Sequence, residues 1–324
     1  MKALFFDGEM QLKEVEKPSL KDYKNNTYTL IKVKKAAICD TDLEIIKGYM
    51  GFKGIPGHEF VGIVEKSNQE HLLGKRVVGE INIGCGKCDM CKKGLKKHCR
   101  NIKVLGIDNW NGAFAEYLIL PAENVHILPD NITDNEAVFV EPLAAAFQIL
   151  KCSEFSSDKL IGVLGDGKLG LLISQILESK QISHILFGKH PDRIAPLSTK
   201  HINFKNHKHE SSSEFRKKFD IIVEATGNQK GLEAGLFLTK PTGTIILKST
   251  YAGNDGVNLS PAVVNEIRLV GSRCGNFNEA LEALKNKSIN VFPLIDSEFS
   301  LNNYKEAFEH ARNSMKTIFK IGKE

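Results

Sequence analysis

Cys85, Cys88, Cys91 and Cys99 are spaced C-x2-C-x2-C-x7-C. Four thiolates delivered by one short loop match the tetrahedral all-sulfur sphere of a closed zinc site. Gly84, Gly86 and Gly94 permit the turns that fold the loop, residues 84–100, around an ion. Lys87, Lys92, Lys93, Lys96, Lys97 and Arg100 interleave with the cysteines, as they would in a zinc ribbon that grips nucleic acid. No aromatic side chain stands among them to stack on a base, and their charge offsets the net negative charge of a four-thiolate centre. The expectation is a structural zinc and no nucleic acid.

Gly165-Asp166-Gly167-Lys168-Leu169-Gly170 is G-x-G-x-x-G; it follows the apolar run 160–164 and opens a helical pattern reaching Leu177. In that context the first glycine makes a tight turn and the second admits a pyrophosphate. The third lets helix pack on strand, so that the helix start, with Lys168 and Leu169, faces the anion. An acidic residue at the end of the next strand would hold the ribose 2′-hydroxyl. Here the run 184–187 leads into Gly188-Lys189-His190-Pro191-Asp192-Arg193, with no carboxylate at the strand end. Gly188 leaves room, and Lys189, His190 and Arg193 supply positive charge, for a 2′-phosphate. This favours NADP(H), while Asp192, four residues on, keeps NAD(H) open.

A third set is dispersed: Cys39-Asp40-Thr41-Asp42, Gly57-His58-Glu59-Phe60-Val61-Gly62 and Glu141-Pro142-Leu143. Taken singly, Cys39 reads as a small buried hydrophobe, His58 as a core histidine, and Glu141 as a carboxylate at a helix entry.

The elements that must position these residues change character along the chain. Up to about residue 147, short apolar runs such as 29–33, 60–64 and 114–120 alternate with Gly and Asn, which predicts a β-rich domain. From 148, strand candidates at 160–164, 184–187, 220–224, 243–247 and 267–270 alternate with Gly turns and amphipathic helices, the pattern of a parallel α/β sheet. Helices near 279–286 and 302–312 and a strand near 317–321 return to the first domain. The expected divisions are therefore 1–147, 148–273 and 274–324. The histidine-bearing stretch 201–213 reads as a solvated loop. With 324 residues, 42% hydrophobic and 26% charged, the chain suits two well-cored domains and neither disorder nor a membrane span. The formal charge of +5 is too small to argue for a polyanionic partner. Seven cysteines, four of them within fifteen residues, suit metal ligation in a reducing compartment, so a cytoplasmic setting is expected.

Taken in order, C-x-T-D, G-H-E-x-x-G, the four-cysteine lobe, E-P-L-A and G-x-G-x-x-G resemble the zinc-dependent medium-chain alcohol dehydrogenases, especially the threonine, polyol and sugar dehydrogenase branch. Glu224-Ala225-Thr226-Gly227 and Lys248-Ser249-Thr250 extend the likeness over essentially the whole chain. The resemblance implies an α/β fold: a doubly wound Rossmann sheet beside a β-rich GroES-like catalytic domain. It implies two zinc ions per chain. The catalytic ion would be held by Cys39, His58 and Glu141, with Glu59 beside it and able to exchange with Glu141. Asp42 would hydrogen-bond His58, and Thr41, unless it caps a helix, would relay a proton. Thr226 would lie on the dinucleotide and Lys316 on its pyrophosphate.

The implied activity is hydride transfer between a zinc-activated secondary alcohol, polyol- or sugar-like, and NADP(H). The alternatives are an NAD(H)-dependent threonine or amino-alcohol dehydrogenase, and a non-catalytic zinc-stabilised dinucleotide-binding protein. Relatives form homodimers or homotetramers. Glu44 replaces the histidine that continues the proton relay in liver-type enzymes. Trp110 and Phe114 stand where relatives line the substrate cleft, or are core aromatics. Cys152 and Cys274 remain as small packing residues.

Overall fold

The computed structural model describes residues 1–23, 28–194, 197–203, 214–250 and 256–322. The chain folds as two units, Met1–Glu141 with Val291–Glu324, and Pro142–Asn290.

The first unit is organised by one long strand, Tyr28–Ala37, whose β-branched and apolar residues Ile31 and Val33 are fully buried. It pairs antiparallel with Glu59–Ser67 along its length, with Tyr117–Pro121 at its start and with Thr317–Lys320 at its end. Arg76–Gly79, Val125–Ile127 and Ser297–Ser300 extend the sheet. Two registers matter for chemistry: Ala37 lies opposite Glu59 on one side and opposite Ile318 on the other. Residues just past the end of the central strand are thereby flanked by 57–59 and by 316–317. Phe114, wholly buried, packs edge-on against Phe319 and Phe308 at ring distances of 5.1 and 6.0 Å. Trp110 donates its indole N–H to the Ile119 carbonyl at 2.8 Å and stacks on Tyr28. Both aromatics serve packing. A small sheet of Asn82–Ile83, Lys103–Leu105 and Asn109–Trp110 brackets the cysteine loop.

The second unit is a six-stranded parallel sheet in the spatial order Lys200–Asn203, Ile185–Gly188, Ile161–Leu164, Phe219–Glu224, Thr239–Leu247, Arg268–Gly271. In chain order this reads 3-2-1-4-5-6, the arrangement of dinucleotide-binding folds. The inner strands are mainly apolar, with Ile161–Leu164 wholly so and Ile221, Ile222 and Val223 at the middle of its neighbour, as covering on both faces requires. Helix Lys168–Ser179 buries every residue from Gly170 to Leu177. It lies so close to the preceding turn that a Cβ on Gly170 would sit 1.8 Å from the Gly165 carbonyl oxygen.

The units meet in sequence at 141/142 and 290/291, where composition suggested 147/148 and 273/274. Packing accounts for the difference. A Cβ on Gly275 would sit 1.9 Å from the Ala144 carbonyl oxygen, so this segment lies against helix Val140–Phe147. Gln175 exchanges two hydrogen bonds with the Asn290 backbone, which keeps helix Phe277–Lys285 with the parallel sheet. The expected loop at 201–213 begins as a strand: His201 pairs with Leu186, while His207 and His209 lie outside the described residues. Among the described residues, no helix is long and apolar enough to cross a membrane.

Candidate active site and zinc lobe

Cys39 precedes helix Asp40–Ile46, and His58 directly precedes Glu59, the first residue of the neighbouring strand; the Ala37–Glu59 register sets the two segments face to face. One ligand atom each from Cys39, His58 and Glu59 lies within 4.8 Å of the others, a spacing suited to a single ion. Asp42, wholly buried, ties the pair of segments together. Its Oδ2 accepts from the Cys39 backbone N–H at 2.8 Å and its Oδ1 from the Gly57 N–H at 3.2 Å. The same Oδ1 is 3.5 Å from His58 Nδ1. Burial opposes protonation of His58, but the charges of Asp42 and Cys39 outweigh it and hold the imidazolium well above the ordinary histidine range. His58 Nδ1 and Glu59 Oε1 are buried without hydrogen-bond partners. Buried polar atoms of that kind are costly unless something binds them, and a divalent cation would satisfy Glu59 Oε1 with charge of the right sign. The residues therefore fit zinc.

Glu141, implied as the third ligand, is half-buried on helix Val140–Phe147 and is not part of the ligand group, whereas Glu59 is. Lys316, implied as a pyrophosphate contact, is 2% exposed; its Nζ donates to Glu59 Oε2 at 2.5 Å and lies over the Phe139 ring. The register that sets Ile318 beside Ala37 brings it there. Thr41 stands inside the first helical turn and caps nothing; its Oγ1 is 3.8 Å from the Cys39 sulfur, which donates to it. Glu44 is paired with Lys47.

In the lobe, the sulfurs of Cys85, Cys88, Cys91 and Cys99 also lie within 4.8 Å of one another. Backbone N–H groups of Cys85 and Asn101 donate to the Cys99 sulfur at 3.2 and 3.3 Å. N–H donors from Arg100 and Cys91 bring the Cys88 thiol down to about 6, while desolvation and the neighbouring sulfurs push Cys91 up to about 12. A thiolate cluster already fed by N–H donors, yet too crowded to ionise fully alone, is chemically suited to a divalent ion. Gly86 and Gly94 take positive φ at the two bends, and bidentate Arg100–Asp89 closes the loop. None of the seven cysteines, all of them among the described residues, is joined in a disulfide.

In the second unit, Gly165 adopts φ +107° between strand and helix, and Gly167, at the helix start, has open space where a Cβ would stand. Lys168 and Leu169 are half-buried in the first turn. Thr226 is spent on Glu224, to which its N–H and hydroxyl both donate. Lys189 is exposed, Arg193 and His190 partly so, and Gly188 is buried. Sequence reasoning passed over Asp166, which stood as a free position in the glycine motif. Its carboxylate is nearly buried beside Gly188 and accepts from the His190 N–H at 2.5 Å. Burial raises its pKa, but the donors from His190 and Lys189 outweigh this and hold it below the usual aspartate range. An acid in the motif paired with a glycine at the strand end was the available signal.

Residues 25–130 match the family model for alcohol dehydrogenase GroES-like domains, and residues 136–321 that for the glucose dehydrogenase C-terminus. An L-threonine 3-dehydrogenase of Coxiella burnetii is 31% identical over 304 residues, covering 86% of this chain and 87% of its own. D-altritol 5-dehydrogenase of Agrobacterium fabrum is 28% identical over 264 residues, 78% of each chain. An Escherichia coli alcohol dehydrogenase crystallised with NADH has the same fold, with a TM-score of 0.89 at 23% identity over 99% of each chain. With family models matched along both parts of the chain and a relative at 31% identity, the chain belongs to the zinc-dependent medium-chain alcohol dehydrogenases, oxidoreductases acting on CH–OH groups.

Proposed function

We propose that this protein interconverts a secondary alcohol of polyol or sugar type and its carbonyl compound, with a nicotinamide dinucleotide as the hydride partner. The observation that carries the reading is the trio of half-buried Cys39 with buried His58 and Glu59, whose Glu59 Oε1 has no hydrogen-bond partner. These three residues would hold the catalytic zinc. When bound, the ion supplies Lewis acidity to an alcohol oxygen. Asp42 fixes the Cys39 and His58 segments before any ligand arrives, so that little reorganisation is left for the reaction. Thr41 Oγ1, 3.8 Å from the Cys39 sulfur, supplies a hydroxyl for passing a proton outward. Lys316 Nζ donates to the other oxygen of Glu59, Oε2, and so holds that carboxylate in place. The lobe of Cys85, Cys88, Cys91 and Cys99 would hold a second, structural zinc.

A threonine-like amino alcohol is the second reading, supported by L-threonine 3-dehydrogenases among the relatives at 30% and 31% identity. For the dinucleotide, Lys189, His190 and Arg193 support NADP(H) by their charge, whereas the Asp166 carboxylate opposes a 2′-phosphate. A homodimer or homotetramer is the expected assembly, measurable by light scattering, and seven cysteines without a disulfide support a reducing, cytoplasmic setting. The test is a panel of polyols, sugars, simple secondary alcohols and amino alcohols given to zinc-loaded protein with each dinucleotide. Reduction of the nicotinamide by a polyol or sugar is expected. Turnover of threonine alone would select the second reading, and no turnover of any alcohol by protein carrying two zinc ions would refute both.

A further inference from the structure

Asp166 and the absent side chain of Gly188 compete for one place. A Cβ built on Gly188 would stand 2.2 Å from both Cγ and Oδ2 of Asp166, so the carboxylate fills the space that a residue at the strand end would use. Gly188 closes the second strand of the parallel sheet, the position from which this fold ordinarily directs an acid to the adenosine ribose. Here the acid comes instead from the turn after the first strand. It is fixed there: Oδ2 accepts from the His190 N–H at 2.5 Å, and Oδ1 lies 3.2 Å from His190 Nδ1. His201 Nε2, on the third strand, stands 3.7 Å from Oδ2. The side chain is 6% exposed, so its charge is poorly screened by solvent.

We propose that Asp166 reads the adenosine ribose, its carboxylate taking the 2′-hydroxyl and repelling a 2′-phosphate, so that the enzyme prefers NAD(H). This rests on the reading of the second unit as the dinucleotide-binding part of a dehydrogenase. Lys189 and Arg193 follow the strand end on more exposed positions and leave the carboxylate where it is. A phosphate brought beside it meets like charge, which costs several kcal/mol when desolvated. The glycine at 188 is thus no vacancy for phosphate. It is the room that Asp166 needs, and the two positions have exchanged roles.

The experiment titrates NADH and NADPH separately into the zinc-loaded full chain, following reduced-nicotinamide fluorescence. NADH is expected to bind at least about tenfold tighter. Asp166→Asn, which keeps an oxygen for the His190 N–H, should move the ratio toward parity by about tenfold. The double variant Asp166→Gly with Gly188→Asp should regain the NADH preference by returning the acid to the strand end. NADPH binding as tightly as NADH to the unaltered enzyme, or a ratio unchanged in Asp166→Asn, would overturn the assignment while leaving the dehydrogenase reading intact. Failure of both dinucleotides to bind would overturn both readings.

Discussion

Lys316 Nζ stands 2.5 Å from Glu59 Oε2, with the two side chains 2% and 1% exposed. A buried pair of this kind is costly to break from one side, because the survivor is left charged and unpaired. Lys316→Met should therefore lower stability by about 3–5 kcal/mol in urea unfolding. Adding Glu59→Gln to it should recover most of the loss. A single variant as stable as the parent would show that the pair is not ionic.

Two metal centres with different jobs should separate by mutation. Elemental analysis of the loaded protein is expected to give two zinc ions per chain. His58→Ala should retain one, keep its far-ultraviolet dichroism, and lose at least about a thousandfold in turnover, roughly 4 kcal/mol of barrier. Cys91→Ser should also retain one zinc, but with a lowered melting temperature, since a structural ion contributes to folding. Equal loss of zinc and stability in both variants would contradict this division.

The two glycines of the dinucleotide turn make a matched pair. A Cβ on Gly170 would strike the Gly165 carbonyl at 1.8 Å, whereas one on Gly167 meets nothing within 4 Å. Gly170→Ala should thus destabilise the second unit by about 1–3 kcal/mol or more, as overpacking does. Gly167→Ala should melt like the parent and yet bind NADH at least about tenfold more weakly, because the space it fills is where a pyrophosphate approaches the backbone. Tight binding by folded Gly167→Ala would argue against an anion at this turn.

Acid should act on the first unit through Asp134. Its carboxylate pairs with Lys34 at 2.6 Å and with Arg76 at 2.8 Å. Burial raises its pKa, but those two partners outweigh burial and hold it below the ordinary value of 3.8. A depressed folded pKa means stability that is present above the unfolded value and lost as pH falls through the folded one. Asp134→Asn should cost about 1–2 kcal/mol at neutral pH, and the gap to the parent should shrink once pH drops below about 4. A gap independent of pH would point to packing instead of charge.

What could be read from sequence follows the range of the interactions. The zinc lobe is legible because one fifteen-residue loop contains all its ligands, and the glycine turn because strand, turn and helix are contiguous. Cys39 and His58 are legible only by family likeness, since they meet through a sheet register that no local pattern declares. That likeness implies Glu141 as the third ligand with Glu59 able to exchange with it, and the register brings Glu59 within reach of Cys39 and His58. Lys316 escapes for the same reason: its partner is 257 positions away. The strand Lys200–Asn203 is short and polar, and its pairing with Ile185–Gly188 is visible only in three dimensions. Asp166 was hidden by its motif, which specifies glycines and is silent on what lies between them.

The interruption of the first unit by the second has a consequence for biosynthesis. A ribosome releases residues 142–290, which can complete their own parallel sheet, before it reaches the strand Thr317–Lys320 that finishes the first unit's sheet. Until then Glu59 waits without its ammonium and Ala37 without its neighbour Ile318. The surroundings of Cys39, His58 and Glu59 are accordingly completed late on the nascent chain, and a translation arrest after the second unit would leave a folded parallel sheet attached to an unfinished first unit.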